Sequence, residues 1–385
     1  MKDCAGVASV KQAGIILCAL FLLTGCSTSK PPEQVVLPVE PNAALSAMSW
    51  GTTNPVHKAP AVKTNLPPAS RAALPAANAA RPAPIYTWTS LAGWAAEHKI
   101  GKPHLLFRSP VTTYAIGSSN GVIVLGIGSL SATWNGVEIN LGFAPQFIDG
   151  EIFLHGLDLQ KNLEPLLCGS PLTFPQTNRI IVIDPGHGGN NVGTQSVLDG
   201  RFEKEFTLDW AKRLKPLLET NGWKVFLTRT SDVTVSNYDR VTFAETHHAD
   251  VFISLHFNSS PDRDKKSNGL ETYCITPTGM PSTLTRNFSD IWMENLPNNN
   301  FDAQNLQLAV RVHNALLHAT GMDDRGVRHS RFETVLRGQN CPAILVEGGY
   351  LSNPHEAKLI ESAEYRQKLA EAIASALGGK DEDRK

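Results

Sequence analysis

The chain has almost no net charge: 35 Lys and Arg stand against 36 Asp and Glu, a formal balance of -1 at pH 7. It therefore lacks the broad basic field that holds nucleic acid, which excludes nucleic acid as the main partner. Cysteine is scarce, 6 in 385 residues, and the three that follow Cys26 (Cys168, Cys274 and Cys341) cannot all pair within one chain. No disulfide framework is expected. Long apolar runs are also missing from the N-terminal region. Ala13 to Leu23, preceded by Lys2 and Lys11, is too short to span a membrane as a standard helix but has the makeup of a signal peptide. With 42% hydrophobic and 18% charged residues, a chain of this length holds more than one globular unit.

What is present sorts into four segments. Residues 1–25 read as an export signal. Residues 26–84 are rich in Pro, Ala, Ser and Thr and have little hydrophobic periodicity, so they cannot bury enough apolar surface to offset the entropy of ordering. They are expected to be a tether. Residues 85–170 read as a small α+β or β-rich unit: a short helix at Ser90 to Lys99, then strands such as Val111 to Ile116 and Gly121 to Ile127. An Asn135-Gly136 turn then feeds another strand. No nucleophile or metal-ligand cluster stands out there, so it is expected to bind or to space. Residues 178–379 alternate strand and helix, which predicts an α/β fold with a central, mostly parallel or mixed sheet flanked by helices.

The chemistry gathers in that last segment. Ile180-Ile181-Val182-Ile183 is a fully apolar strand that runs into Asp184-Pro185-Gly186-His187-Gly188-Gly189, a turn at the carboxyl end of a buried strand. His256 ends a second such strand, Val251 to His256, and Glu347 a third, Ala343 to Glu347. Glu203 opens a helix whose apolar face is Leu208, Ala211, Leu214 and Leu218. Two histidines and a carboxylate supply the nitrogen and oxygen donors of a catalytic zinc site with one position open, and a second carboxylate is then available as a base. The residues lie on separate elements, unlike the H-E-x-x-H helix. A site assembled that way forms only with the fold, so metal binding and folding should be coupled.

These motifs, together with Glu203-Lys204, Ser254-Leu255-His256-Phe257-Asn258, Asp324-Arg325-Gly326-Val327 and Leu345-Val346-Glu347-Gly348-Gly349-Tyr350-Leu351-Ser352-Asn353-Pro354, resemble the zinc-dependent N-acetylmuramoyl-L-alanine amidases of the amidase-3 type. The resemblance covers about Arg179 to Leu377. It implies that His187, Glu203 and His256 bind Zn2+, that Glu347 is the catalytic carboxylate, and that the substrate is peptidoglycan, cut between N-acetylmuramic acid and L-alanine. A protein activator belongs among the partners to be tested. Residues 134–167 resemble the copper amine oxidase N-terminal-like domain, and Leu23-Thr24-Gly25-Cys26 resembles a bacterial lipobox. The latter implies an exported protein anchored in the cell envelope through lipid on Cys26, on an outer membrane facing the periplasm if the organism has one. The residue chemistry alone supports a zinc hydrolase. A zinc peptidase acting within the stem peptide, or a non-catalytic peptidoglycan-binding protein, are the other readings.

Asp184 and Asn258 are candidates for orienting the ligands. His247 and His248 are expected to face solvent, and His313, His318, His329 and His355 lack comparable context. Phe257 replaces the small residue expected after the second ligand histidine and is expected to narrow the cleft or alter access to it. Pro216 should kink or shorten the helix begun by Glu203. Thr276 to Gln304 reads as an irregular loop, with a surface excursion bordering the site as the other reading.

Overall fold

In the computed structural model, which describes residues 87–175, 177–260, 265–284, 290–331 and 334–378, the apolar runs of the sequence line up as neighbours in one sheet. In chain order the strands are β1 (Trp88–Ser90), β2 (His104–Phe107), β3 (Thr113–Ser118), β4 (Gly121–Gly126), β5 (Ser131–Trp134), β6 (Val137–Asn140), β7 (Gln146–Ile148), β8 (Glu151–His155), β9 (Ile180–Pro185), β10 (Lys224–Leu227), β11 (Val251–Asn258), β12 (Leu270–Ile275), β13 (Asp324–Ser330) and β14 (Ala343–Tyr350). The helices are α1 (Leu91–Glu97), α2 (Gly156–Asp158), α3 (Glu164–Leu167), α4 (Glu203–Thr220), α5 (Asn237–Thr246), α6 (Asp302–Thr320), α7 (Thr334–Arg337), α8 (Pro354–Glu361) and α9 (Ala363–Gly378). The export signal, Cys26 and the tether lie outside the described residues. Among the described residues no helix is long and apolar enough to cross a membrane.

The main sheet has 11 strands in the order β10-β9-β11-β14-β12-β13-β6-β5-β4-β3-β2. β10, β9, β11 and β14 are parallel, β12 runs against β14, and β13 is parallel to β12. The sheet is thus mixed, as the α/β expectation allowed. It also continues where a boundary between two units was expected. Val327 of β13 pairs with Ile139 of β6, the Asn140 amide donates to the Val327 carbonyl (3.3 Å), and the Glu138 N–H donates to Asp324 (2.8 Å). From β6 the sheet runs on as an antiparallel meander to β2. Asn135 and Gly136, at φ 48° and 89°, make the β5–β6 turn, which needs left-handed backbone at both positions. β1, β8 and β7 form a separate three-stranded sheet.

Period-two alternation sorts each parallel strand into two faces. Ile181 and Ile183, Ile253 and Leu255, Ile344 and Val346 all point into one core. Phe206, Trp210, Leu214 and Leu218 of α4, Leu308 and Val312 of α6, and Leu369 and Ile373 of α9 cover it. Val182, Phe252, Tyr273, Ala343 and Leu345 point the other way and meet Ala244 of α5 with Val335 and Leu336 of α7. The next alternate positions on this second face are Asp184, Ser254, His256, Glu271 and Glu347. The polar row is therefore placed by the same periodicity that builds the core.

Three local expectations are corrected. Pro216 does not end α4, which runs unbroken over 18 residues, because Leu214 and Leu218 on either side are both fully buried against the sheet. Phe257 does not narrow the cleft. Alternation sends it into the first core, where it is 1% exposed and packs on Trp210 and Phe206 with ring centroids 5.3 and 6.3 Å apart. His247 does not simply face solvent: its ring lies against Phe226 and Phe243 and its Nδ1 bonds the Phe243 carbonyl. All three cysteines in the described residues, Cys168, Cys274 and Cys341, are free thiols.

Candidate metal centre and active site

β9, β11 and β14 are parallel, so their carboxyl ends share one rim of the sheet, and each delivers one functional group there. β9 delivers the turn with His187, β11 delivers His256, and β14 delivers Glu347, whose Cα is the register partner of His256. Glu203, at the first position of α4, reaches the same rim from the other layer. Its carboxylate is 3% exposed, with Oε2 3.0 Å from His187 Nε2 and Oε1 2.9 Å from His256 Nδ1. One donor atom from each of His187, Glu203 and His256 falls within 4.8 Å of the others. The three sequence candidates for metal ligation are thus brought together, and Glu347, 5% exposed, stands one strand away.

Tight backbone makes the cluster possible. A Cβ on Gly186 would lie 2.3 Å from the His256 ring, and one on Gly193, whose φ is +70°, would lie 2.6 Å from Glu203 Oε2. Only glycine leaves room at either place. His187 itself has φ +62°, an uncommon conformation for a residue with a side chain, and it is held there by buried arginines. Arg240 donates to the carbonyls of Pro185 (3.0 Å) and His187 (2.7 Å), and Arg229 to those of Pro185 (3.0 Å) and Gly186 (2.9 Å). Burial lowers Arg229 to about 10, which still leaves it charged at neutral pH.

The orienting groups are partly those expected. Asp184, 1% exposed, accepts from the Ser254 hydroxyl (2.7 Å), the Thr228 hydroxyl and the Arg240 guanidinium, so it fixes the start of the His187 turn rather than a ligand ring. Asn258 donates to Glu271 (2.7 Å). Asn191, which sequence reasoning missed, holds His187 through Nδ1 to its Oδ1 at 2.8 Å and so leaves Nε2 facing Glu203. Its signal was its place two residues past the glycine turn, too weak to single it out. Breaking the Asp184–Arg240 pair leaves a buried guanidinium without its counter-ion. Asp184→Ala should therefore lower unfolding stability by about 3–5 kcal/mol, read from chemical denaturation.

The electrostatics suit a cation. Glu203 is buried, which alone would raise its pKa, but the hydrogen bonds and charges of His187 and His256 hold it well below the carboxylate range. His187 is lowered by burial, yet its bonds to Glu203 and Asn191 raise it overall, while burial lowers His256. An ionised carboxylate and a neutral imidazole Nε2 are both acceptors, and at 3.0 Å they need a proton or a metal ion shared between them. Two imidazole nitrogens and one carboxylate are the donor set of a catalytic zinc site, so the residues fit that ion.

Such a donor set beside a second carboxylate suits metal-assisted hydrolysis. The family model described as N-acetylmuramoyl-L-alanine amidase matches residues 181–378, and the chain belongs to that family. Among curated relatives, the amidase AmiC of Neisseria meningitidis is 31% identical over 269 residues, covering 59% of this chain and 64% of the relative. AmiA of Escherichia coli is 29% identical over 222 residues, covering 52% and 75%. This chain thus spans a little under two thirds of the Neisseria protein. A solved amidase from Clostridium difficile is 30% identical with a TM-score of 0.44, over 55% of this chain and all of that one.

Proposed function

We propose that this protein is a zinc-dependent amidase that hydrolyses the bond between N-acetylmuramic acid and the L-alanine of the peptidoglycan stem peptide. The observation that carries the reading is the convergence of His187, Glu203 and His256 at one rim with Glu347 in register beside His256. His187 Nε2, a Glu203 oxygen and His256 Nδ1 would hold the ion. Zinc there supplies Lewis acidity, which polarises an amide carbonyl and makes water a competent nucleophile near neutral pH. Glu347 takes the proton from the attacking water on its carboxylate and returns it to the departing L-alanine nitrogen. Asn191 keeps the His187 ring in one tautomer, and the buried arginines keep its turn from relaxing.

Export, lipidation at Cys26 and a tether over residues 26–84 belong to the same reading, since an anchored enzyme with a long tether can search a nearby polymer layer. Residues 85–170 would be an accessory unit resembling the copper amine oxidase N-terminal-like domain, fused to the catalytic sheet through β6 and β13. Digestion of purified peptidoglycan, followed by mass spectrometry, tests the activity. Intact stem peptides with a free L-alanine amino group, beside peptide-free glycan, are expected, and a zinc chelator should stop their release. Shortened stems would mark a peptidase instead. No products from folded, zinc-loaded protein would mean either that a protein activator is missing or that the domain only binds.

A further inference from the structure

One buried carboxylate on the site face has no part in that chemistry. Glu271 of β12 is 2% exposed and is the register partner of Glu347. It accepts from Asn258 Nδ2 (2.7 Å), the Tyr273 hydroxyl (2.7 Å), the Tyr350 hydroxyl (3.1 Å) and Arg325 Nε (2.6 Å). Arg328 Nε stands 3.6 Å away and donates to the Arg325 carbonyl (2.9 Å). Glu271 is therefore the inner anchor of two guanidinium groups, one of which also lies 5.2 Å over the Tyr350 ring. Two cations share one carboxylate.

Both arginines engage Glu271 through Nε, and their side chains remain 33% and 20% exposed. Arg325 Nη1 makes a long contact to the Asn268 carbonyl (3.4 Å), and no hydrogen bond of the Arg328 Nη atoms is found among the described residues. Two neighbouring carboxylates among the described residues are engaged elsewhere. Glu356 accepts from the amides of Gly269 (2.6 Å) and Tyr350 (2.7 Å), and Asp324 from those of Glu138 and Gly326 and from His313. Arg229 and Arg240 are buried against carbonyls, Lys204 is paired with Asp232, Arg331 with Asp290 and Arg337 with Glu294.

Position gives the pair its use. From His256 on β11 the row passes Glu347 on β14 and Glu271 on β12 to β13, where Arg325 falls in the register shift opposite Glu271 and Arg328 is the register partner of Tyr273. Three strand spacings are about 14 Å, which an extended peptide covers in about four residues. We propose that Arg325 and Arg328 form an anion subsite that takes a carboxylate of the stem peptide while its first amide lies at the metal centre. The subsite rests on the amidase reading. It would select acidic stems over amidated ones, because a planar guanidinium pairs with a carboxylate in two parallel hydrogen bonds and has no such partner in an amide.

The test compares kcat/KM on a muropeptide with free carboxyl groups and on the same fragment with those groups converted to amides. Arg328 is the position to change, since Arg325 is hydrogen-bonded to Glu271 (2.6 Å) whereas Arg328 stands 3.6 Å from it. The wild-type chain should prefer the acidic fragment by about tenfold, Arg328→Gln should bring the ratio close to one, and Arg328→Lys should recover part of it. A ratio unchanged in Arg328→Gln overturns the subsite. Calorimetric binding of the free acidic stem peptide to Glu347→Gln protein, with and without Arg328→Gln, separates the two claims. If no fragment is cleaved but Arg328→Gln still weakens peptide binding about tenfold, the amidase reading fails and the subsite stands. Equal binding to both proteins overturns the subsite whatever the activity.

Discussion

Glu347→Gln is expected to lower kcat by about 10²–10⁴-fold while zinc content stays near that of the wild type. Glutamine keeps the size and hydrogen-bonding reach of the side chain and removes only its ability to take and return a proton. The position makes the separation clean. Glu347 lies within β14, a strand buried along its whole length, and stands beside His256 without belonging to the His187–Glu203–His256 cluster. Initial rates on muropeptide and metal analysis on the same sample read both quantities. A Glu347→Gln protein with full activity would remove Glu347 as the base, and one that had lost its zinc would place Glu347 among the ligands.

His256→Ala is expected to do the opposite: bound zinc and activity are lost together. Removing a ligand should weaken binding by more than the roughly 10–100-fold that follows loss of a group behind the ligands. Two further effects follow from the packing. The ring now fitted against Gly186 leaves a gap, and Glu203, 3% exposed, loses one of its two imidazole partners while still accepting from the Phe257 and Thr194 amides. A buried carboxylate with less compensation is destabilising, so the thermal midpoint of the variant should fall even in chelator. Wild-type zinc stoichiometry in His256→Ala would take that histidine out of the site.

The parts of this architecture that local pattern encodes were legible before any coordinates. Apolar runs such as Ile180 to Ile183 and Ala343 to Val346, each soon followed by Pro or Gly, suit strands covered on both faces, and groups at their carboxyl ends meet at one rim once the strands are parallel. That was enough to gather His187, His256 and Glu347, with Glu203 at a helix start as the second carboxylate, and the family motifs assigned Glu203 to the metal and Glu347 to catalysis. What escaped depends on pairing between distant segments. The β6–β13 junction joins residues such as Asn140 and Val327 that are 187 positions apart, and no periodicity announces it. Glu271 looked like one polar residue in an ordinary strand, because its partners come from β11, β12, β13 and β14. Phe257 was misplaced for a simpler reason. Strand alternation, which puts it opposite His256, outweighs its nearness in sequence to the site.

X-ray absorption at the zinc edge on the purified wild-type chain tests the central claim most directly. The account predicts one zinc per chain, coordinated by nitrogen and oxygen at about 2.0–2.2 Å, with two imidazoles contributing and no sulfur. Sulfur scattering at about 2.3 Å would point to Cys168, Cys274 or Cys341 instead, and a folded chain that retained no zinc would contradict the metal centre altogether.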